Sequence, residues 1–397
     1  MSGVVMLVNE FTPLPVGGAE RQAERLSGNL AGRGWNVWVI TRSAAGLPNR
    51  ESRSGFWIIR PSTIGPGKMK SLSFVFGSMV EIWKIRKYFE ILHAHLAFGP
   101  AFAAVLASLL LGKCVIVKLG NSGQFGDIAV SQKTLRGRFR LYALRHWVDA
   151  VIVLDEFMEK EALEAGFPAR KVVRMKNGIE TKLFELQNTQ NQYKAGLGVE
   201  DRVVVLSAGR LSAQKSIDFL LSVFSEAVKM NKKLFLMILG DGPDRQLLEH
   251  KADLLQLNEY IKFAGHQEDV RPYLFASDIF VLPSQSEGIS NSLLEAMAAG
   301  LPCLVSDTGG NAEVVDYGSC GTILETGNHS QWTKELLSLS SSEEARRKLG
   351  ERAKERAKRT YDYAVTGLEM ENLYFSLISE KKSAVYHHRS NTSEGGR

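Results

Sequence analysis

Residues 284–302, with the sequence SQSEGISNSLLEAMAAGLP, hold the densest group of side chains able to do chemistry. They follow the apolar run 279–282, which is predicted as a strand of a parallel sheet. Ser290 or Asn291 can cap a helix that Gly300 ends. The segment is therefore expected at the carboxyl edge of a sheet, where α/β proteins bind their ligands.

Two kinds of binding chemistry are predicted for this segment. The backbone N–H groups of Gly288, Ile289 and Ser290 would face an anion from the positive end of the helix. Glu287 in the loop and Glu295 in the helix suit sugar or ribose hydroxyls, since a carboxylate accepts hydrogen bonds and repels phosphate. The alternative, that Glu295 is an ordinary surface residue, is disfavoured by its apolar neighbours.

A second group lies in residues 207–216, SAGRLSAQKS, again directly after a predicted strand. Arg210 and Lys215 emerge together there, and two cations suit a diphosphate whose leaving charge must be neutralised. The segment resembles a Walker A loop, but Gln214 stands where that loop needs glycine. A solvated pair of surface charges is the alternative for this segment taken alone.

Gly17 and Gly18 open the first predicted helix and would let a ligand approach the backbone, although alone they are no stronger than a tight turn. The sequence contains no GxGxxG, DxD, HExxH or GxSxG motif. These features predict a site without cofactor or metal, in which Arg210, Lys215 and helix N–H groups replace the cation.

The elements that position these residues alternate between apolar strands and helices, which is typical of parallel sheets covered on both faces. In the first half, strands are predicted at 4–8, 36–41, 56–60, 91–95, 114–119, 150–154 and 172–175. In the second half, strands are predicted at 202–207, 234–239, 260–263, 279–282, 302–306 and 321–324. Two Rossmann-like parallel-sheet domains facing a central cleft are expected.

The domain boundaries follow changes in composition. The sequence predicts a first domain over 1–186, a polar linker over 187–201 and a second domain over 202–360. A helix over 361–381 is expected to return to the first domain, followed by a disordered tail over 382–397.

Composition places the chain among globular proteins. Of its 397 residues, 44% are hydrophobic and 23% are charged. Cys114, Cys303 and Cys320 are scattered, which argues against a disulfide framework and a zinc site and favours a reducing cytoplasm. The first residues, MSGVVMLVNEF, predict a strand rather than a signal peptide.

The net charge of +6 leaves two interpretations open, an ordinary solvated surface or a basic face for anionic lipid. No aromatic-interleaved basic motif suggests nucleic acid. The uncharged run 96–112 is shorter than a membrane span needs, so a buried helix is predicted and any membrane contact is expected to be peripheral. The basic residues concerned are Lys84, Arg86, Lys87, Lys133, Arg136, Arg138, Arg140 and Arg145.

Taken in order, these motifs resemble glycosyltransferase family 4, a group of retaining enzymes with the GT-B fold. The resemblance covers nearly the whole chain, and the segment with two glutamates is its most specific part. The matching segments are GGAER, LHAHL, DEFMEKEAL, NGIETKLF, GRLSAQKS, ILGDGPD, IKFAGHQEDV, SEGISNSLLEAMAAGLP and TGGNAEVV.

The resemblance implies roles for particular residues. Arg210 and Lys215 would bind the donor diphosphate and, with Glu287 near the reacting carbon, form the catalytic group. The other donor contacts implied are phosphate or sugar at Gly288, Ile289 and Ser290, ribose at Glu295, the base at Gly265 and His266, and the early loop at Gly17 and Gly18.

Two positions depart from the family pattern. Ser216 replaces the usual glycine after the diphosphate lysine. Residues 120–123, Gly-Asn-Ser-Gly, replace a loop that carries histidine in many relatives, and Asn121 is the candidate substitute. On the acceptor side, His95 either lines the site or is a structural histidine.

The resemblance implies transfer of a hexose, with retention, from a UDP-sugar or next a GDP-sugar. The expected acceptor is a lipid-linked saccharide in cell-surface polysaccharide biosynthesis, at the inner face of the cell membrane. In the mechanism usual for the family, the leaving phosphate deprotonates the acceptor hydroxyl. A small soluble acceptor and a non-catalytic nucleotide-sugar sensor are the alternatives.

Overall fold

A computed structural model describes residues 2–13, 17–65 and 67–394. The chain forms two compact units, one of Met1–Gly178 together with Tyr363–Arg397, and one of Ile179–Asp362. Each unit contains one sheet with helices packed against it.

The first unit is built on an eight-stranded sheet with the order β3-β4-β2-β1-β5-β6-β7-β8. Neighbouring strands are parallel except β3 and β4. The strands are β1 (Gly3–Leu7), β2 (Asn36–Ile40), β3 (Arg50–Arg53), β4 (Phe56–Ile59), β5 (Ile91–His95), β6 (Cys114–Lys118), β7 (Ala150–Val153) and β8 (Val172–Arg174). The helices are α1 (Gly18–Gly32), α2 (Gly67–Lys84), α3 (Gly99–Leu111), α4 (Asp127–Gln132), α5 (Leu135–Trp147) and α6 (Glu156–Glu164).

Apolar strands place this sheet in the interior. Every residue of β1, β5, β6 and β7 is buried, as expected for parallel strands covered on both faces. The predicted strands of this half are all present, each within about a residue of its predicted bounds. The strand order changes direction between β1 and β5, so the carboxyl ends of those two strands flank the switch point of the sheet.

The apolar run 96–112 forms α3, whose buried residues include Ala101, Ala104 and Val105. Gly112 ends the helix with φ of 67°, a left-handed conformation that glycine adopts without strain. The prediction of a buried helix is confirmed. No helix within the described residues is long and apolar enough to cross a bilayer.

The second unit is built on a six-stranded, wholly parallel sheet with the order β11-β10-β9-β12-β13-β14. All the strands predicted for this half are present. They are β9 (Val203–Ala208), β10 (Leu234–Leu239), β11 (Ile261–Gly265), β12 (Ile279–Leu282), β13 (Cys303–Ser306) and β14 (Thr322–Leu324). The helices are α7 (Gln190–Leu197), α8 (Ile217–Met230), α9 (Arg245–Leu254), α10 (Arg271–Phe275), α11 (Asn291–Ala299), α12 (Asn311–Val314), α13 (His329–Ser341) and α14 (Glu343–Arg356).

The segment 187–201, predicted as a linker, contains the ordered helix α7. Thr189 caps the helix, and Gln192 completes a capping box with it. Lys194 binds Asp278 at 2.7 Å, which attaches α7 to the second unit. The polar residues that suggested a linker lie on the solvent-exposed side of this capped helix.

The last helix, α15 (Tyr363–Glu394), belongs to the first unit, as the predicted return helix requires. Glu371 accepts a hydrogen bond of 2.7 Å from the indole of Trp35. The hydroxyl of Tyr374 and Nδ1 of His93 share a buried hydrogen bond of 2.6 Å. These contacts fix α15 across the face of the sheet that also carries α1.

The predicted end of this helix at residue 381 is too early. The helix continues to Glu394, so the disordered tail predicted from residue 382 is wrong up to that point. Neither Gly nor Pro, the two residues with the lowest helix propensity, occurs between 382 and 394, so no such residue interrupts the helix there. Residues 395–397 lie outside the described residues.

Replacing Tyr374 by Phe should lower the free energy of unfolding by about 1–3 kcal/mol, because a buried ring nitrogen of His93 loses its partner. Urea unfolding followed by tryptophan fluorescence measures this, since Trp35 contacts the Tyr374 ring. Ser376→Ala, at an exposed position of the same helix, is the matched control and should change the value by less than about 0.5 kcal/mol. Equal unfolding curves for Tyr374→Phe and wild type would contradict the prediction.

Candidate active site

The strand order of the second sheet places two predicted groups side by side. The order changes direction between β9 and β12, which pair through Leu206 and Phe280. Arg210 follows β9 and Glu287 follows β12, so both lie at the carboxyl edge on either side of the switch point. In open α/β sheets this is the position where ligands bind.

A concave pocket lies at the carboxyl end of β9. It is lined by residues of β9 and the loop after it, among them Gly209, Arg210 and Lys215, and by Leu239 and Leu282 from the ends of neighbouring strands. The side chain of Arg210 is exposed and, among the described residues, makes no hydrogen bond or ion pair. A guanidinium in this state is available for an anionic ligand.

Lys215 and Glu287 form an ion pair across the switch point. The Glu287 side chain is 5% exposed, so its charge is compensated within the protein rather than by water. Lys215 is therefore held in place before any ligand arrives. The sequence predicts both residues in the site, but not that they bind each other.

Gln214 is a residue of the candidate site that the sequence did not predict. Its Nε2 donates to the carbonyl of Ser286 at 2.7 Å, and its own carbonyl accepts from the N–H of Gln285 at 2.9 Å. These two bonds attach the loop after β12 to the loop after β9. The one feature of the sequence that could have indicated this role is that Gln214 directly precedes Lys215.

Backbone contacts join the loops after β9, β10 and β11. The N–H of Gly209 donates to Leu239 at 3.0 Å, and the N–H of Gly240 donates to Gly265 at 2.7 Å. A Cβ on Gly240 would lie 1.9 Å from the carbonyl oxygen of Gly209, and its φ is 117°, so only glycine fits. This packing brings His266, which is exposed, to the same sheet edge as Arg210.

The ILGDGPD segment forms the loop after β10. The N–H of Gly242 donates to the Asp241 carboxylate at 2.8 Å, and this bond, followed by the one from Arg245, lowers the pKa of Asp241. Arg245 also binds Glu249 at 2.8 Å. Its guanidinium is thus fixed beside Gly265, in the region predicted to face a base.

The helix predicted after β12 is present with the predicted ends. Ser290 occupies the N-cap position of α11 without a capping hydrogen bond from its side chain, and Gly300 ends the helix with φ of 83°. Gly288, Ile289 and Ser290 are buried in the loop before it, and Glu295 is buried within it, so Glu295 is not an ordinary surface residue. Contacts of these residues with phosphate, sugar or ribose remain predictions.

The candidates in the first unit lie at the carboxyl edge of its own sheet. Gly18 begins α1, and Gly17 precedes it with φ of −80°, a backbone that any residue adopts. Residues 14–16 of the same loop lie outside the described residues.

His95, the acceptor-side candidate, is the last residue of β5 and stacks on His93 with ring centroids 4.6 Å apart. Burial lowers the pKa of His95 well below the usual value.

Asn121 lies in a loop held by two carboxylates, of which Asp127 is buried and Glu161 is half-buried. Asp127 accepts the N–H of Gly120 at 2.6 Å, and Glu161 accepts the N–H of Gly123 at 2.9 Å. Burial raises the pKa of Asp127 to about 6, against the opposing effect of its hydrogen bonds. The role of Asn121 as a substitute for histidine remains a prediction.

Comparison with known proteins identifies the family. The sequence pattern of Glycosyltransferase Family 4 matches residues 16–183, and that of Glycosyl transferases group 1 matches residues 189–356. These consecutive matches together cover most of the chain. The chain belongs to the family 4 glycosyltransferases, as its motifs predicted.

Relatives agree with this assignment. N-acetyl-alpha-D-glucosaminyl L-malate synthase of Bacillus anthracis is 25% identical, over 93% of this chain and 96% of its own. The lipopolysaccharide core biosynthesis glycosyltransferase LpsE of Rhizobium meliloti is 32% identical, over 39% of this chain and 44% of its own. The crystal structure of Anabaena HepE with UDP and glucose superposes with a TM-score of 0.78 at 16% identity, covering 95% of this chain and all 100% of HepE. The GT-B fold class, with its two parallel-sheet α/β domains, is confirmed.

Replacing Ser216 by Gly should raise the free energy of unfolding by about 1 kcal/mol. Ser216 has φ of 49° and ψ of 40°, a conformation that costs a side-chain-bearing residue about 1–2 kcal/mol, partly offset by the greater freedom of glycine in the unfolded chain. Ser216→Ala is the matched control, because it removes the buried hydroxyl but keeps the strain. Urea unfolding should rank Gly above Ala, and the reverse order would contradict the prediction.

Proposed function

We propose that the protein transfers a hexose from a nucleoside diphosphate sugar, UDP-sugar first and GDP-sugar next, with retention and without a metal ion. The observation that carries this is the switch point of the second sheet, where an available guanidinium, Arg210, lies beside the paired Lys215 and Glu287.

The chemistry assigned to the site is neutralisation of the leaving group. The bond between the anomeric carbon and the phosphate oxygen breaks, and the acceptor oxygen bonds to the same face of the sugar. The acceptor proton passes to the departing phosphate, so no protein nucleophile is needed. Arg210 and Lys215 stabilise the charge that develops on the diphosphate. Lys215 keeps its contact with Glu287 and donates a second N–H to the diphosphate. Glu287 accepts hydrogen bonds from sugar hydroxyls.

The preference for UDP and for a polysaccharide acceptor is supported by similar proteins. HepE shares the fold and its structure holds UDP and glucose. LpsE is named for lipopolysaccharide core biosynthesis. We therefore propose a lipid-linked saccharide as the acceptor. A small hydroxy acid is the second candidate, because the relative aligned over 93% of this chain is named N-acetyl-alpha-D-glucosaminyl L-malate synthase.

A lipid-linked acceptor requires a surface that meets the membrane, and we assign it to α2. Leu72 and Phe76 on this helix are 72% and 70% exposed, and Met69, Val80 and Trp83 are exposed at the same helical spacing. Lys84 and Arg86 lie at the end of α2. Helix α5 packs, like α2, against α3, and it exposes Leu135 and Phe139 next to its arginines. Exposed apolar residues flanked by cations fit an anionic bilayer.

Donor binding should stabilise the protein against heat. UDP-glucose at about 100 times its dissociation constant should add about 2.7 kcal/mol. Arg210→Ala should abolish most of this shift, because the diphosphate loses its available guanidinium. Arg347→Ala, an exposed arginine of α14, is the matched control and should keep the full shift. Product analysis with a saccharide acceptor then separates a transferase from a sensor, which would bind the donor without turnover.

No thermal shift with UDP-, GDP-, ADP- or dTDP-sugars, in the absence of metal, would contradict the donor site. A shift of equal size in Arg210→Ala would place the diphosphate elsewhere.

Membrane contact through α2 should require its apolar residues as well as the charges. Leu72→Asp with Phe76→Asp should weaken cosedimentation with phosphatidylcholine–phosphatidylglycerol vesicles by about tenfold or more, since each such side chain contributes about 1.5–3 kcal/mol when buried. Leu247→Asp, an equally exposed position on α9, is the control and should bind like wild type. Binding that disappears entirely at high salt would indicate charge alone and exclude insertion.

A further inference from the structure

Lys118 is a buried cation at the carboxyl edge of the first sheet. It is the last residue of β6 and lies directly opposite His95 of β5 in the parallel register. Only 7% of Lys118 and 2% of His95 are exposed. The two side chains project to the same face of the sheet, because register partners in neighbouring strands share a face.

No anionic partner compensates this lysine. Within residues 2–13, 17–65 and 67–394, the Lys118 side chain makes no hydrogen bond or ion pair. Burial alone lowers the pKa of Lys118 to about 8, and no carboxylate acts on it in the opposite direction. A buried charge without a partner is costly, and a lysine whose pKa is lowered in this way is a candidate for a functional site.

The neighbouring histidine, His95, also lacks hydrogen-bond partners among the described residues. Neither ring nitrogen of His95 has a hydrogen-bond partner among the described residues, although both are buried. Burial, together with His93 and Lys118, keeps its pKa well below the usual value, so it is neutral and one ring nitrogen carries a proton to donate. An ammonium and an imidazole N–H on adjacent strand ends are two donors for one oxyanion.

Lys194 of the second unit is a buried lysine with a structural role, and its contacts differ from those of Lys118. Lys194 is as deeply buried as Lys118, but it donates to Asp278 at 2.7 Å and to the carbonyl of Arg202 at 2.8 Å. Lys118 has neither kind of contact, so stability of the fold does not account for it.

The backbone around Lys118 is fixed in a strained form. Leu96 follows His95 with φ of 70°, and its N–H donates to the carbonyl of Lys118 at 2.8 Å. A Cβ on Gly120 would lie 2.4 Å from the end of the Leu96 side chain, so any larger residue there would force that side chain to move. Strain of this kind persists where the surrounding structure holds a site in place.

We propose that Lys118 and His95 form an oxyanion-binding subsite in the first unit and that the acceptor carries a phosphoryl group bound there. The existence of the subsite is independent of the donor chemistry, and only its assignment to the acceptor rests on the proposed function. The phosphoryl group belongs either to a small sugar phosphate or to the phosphate of a lipid carrier, and the two sources are distinguished below.

The first experiment is calorimetric titration of inorganic phosphate into the full chain, with UDP present to occupy the site of the second unit. Lys118→Met preserves the length of the side chain and should weaken phosphate binding by about tenfold or more, since it removes a charged hydrogen bond. Lys160→Met, an exposed lysine of α6, makes the same change in net charge and should bind like wild type.

Thermal unfolding shows that any loss of binding is not a loss of fold. Lys118→Met should raise the unfolding midpoint without phosphate, because it removes an uncompensated charge, and it should keep the UDP shift. Undetectable phosphate binding by wild type, or equal binding by wild type and Lys118→Met, would overturn the subsite. A missing UDP shift in wild type would instead count against the proposed donor function and leave the subsite standing.

Two further probes identify the source of the phosphoryl group. Glucose 1-phosphate tests the small-molecule source, and phosphatidylcholine vesicles containing a polyprenyl phosphate test the lipid source. Tighter binding of either probe than of inorganic phosphate, lost in Lys118→Met, assigns the subsite to that source. If neither probe depends on Lys118, the assignment to the acceptor is wrong.

Discussion

The ion pair between Lys215 and Glu287 is the interaction on which the candidate active site depends. It joins residues 72 positions apart in the sequence, and it forms only because β9 and β12 are neighbours in the sheet. A carboxylate that is 5% exposed needs its partner, so the loop after β12 cannot leave the loop after β9 without uncovering a buried charge. The start of α11 and the backbone of the loop that carries Arg210 are thereby positioned before a donor binds.

Close backbone packing adds a second constraint on the same edge. Gly240 contacts the carbonyl of Gly209, and Gly265 accepts from Gly240, so three successive loops lie in one row. Lys215 and Glu287 lie on one side of this row, while His266 and the fixed Arg245 lie on the other. The proposed donor requires this order, with its diphosphate at one end and its base at the other.

Local patterns predicted the fold well, because apolar strands and helix caps are encoded by near neighbours. β3 was not predicted, since its residues, Arg50–Arg53, are polar and it is the edge strand of the sheet, paired with β4. The positions of Arg210, Glu287 and Ser290 in the site were also predictable, because each follows a strand end. The bond between Lys215 and Glu287 and the isolation of Lys118 were not, because both depend on which strands become neighbours.

The contribution of α15 to the first unit has a consequence for how the chain is made. The interior of that unit includes Tyr374 and Ile378, and these residues are synthesised after the whole second unit. During translation, the second unit, Ile179–Asp362, can fold as a continuous segment before α15 has been synthesised. Until then, His93 and Trp35 lack their hydrogen-bond partners on α15. The unit that starts the chain is the last to be completed, and the apolar face it leaves open in the meantime is the part of the nascent protein most in need of a chaperone.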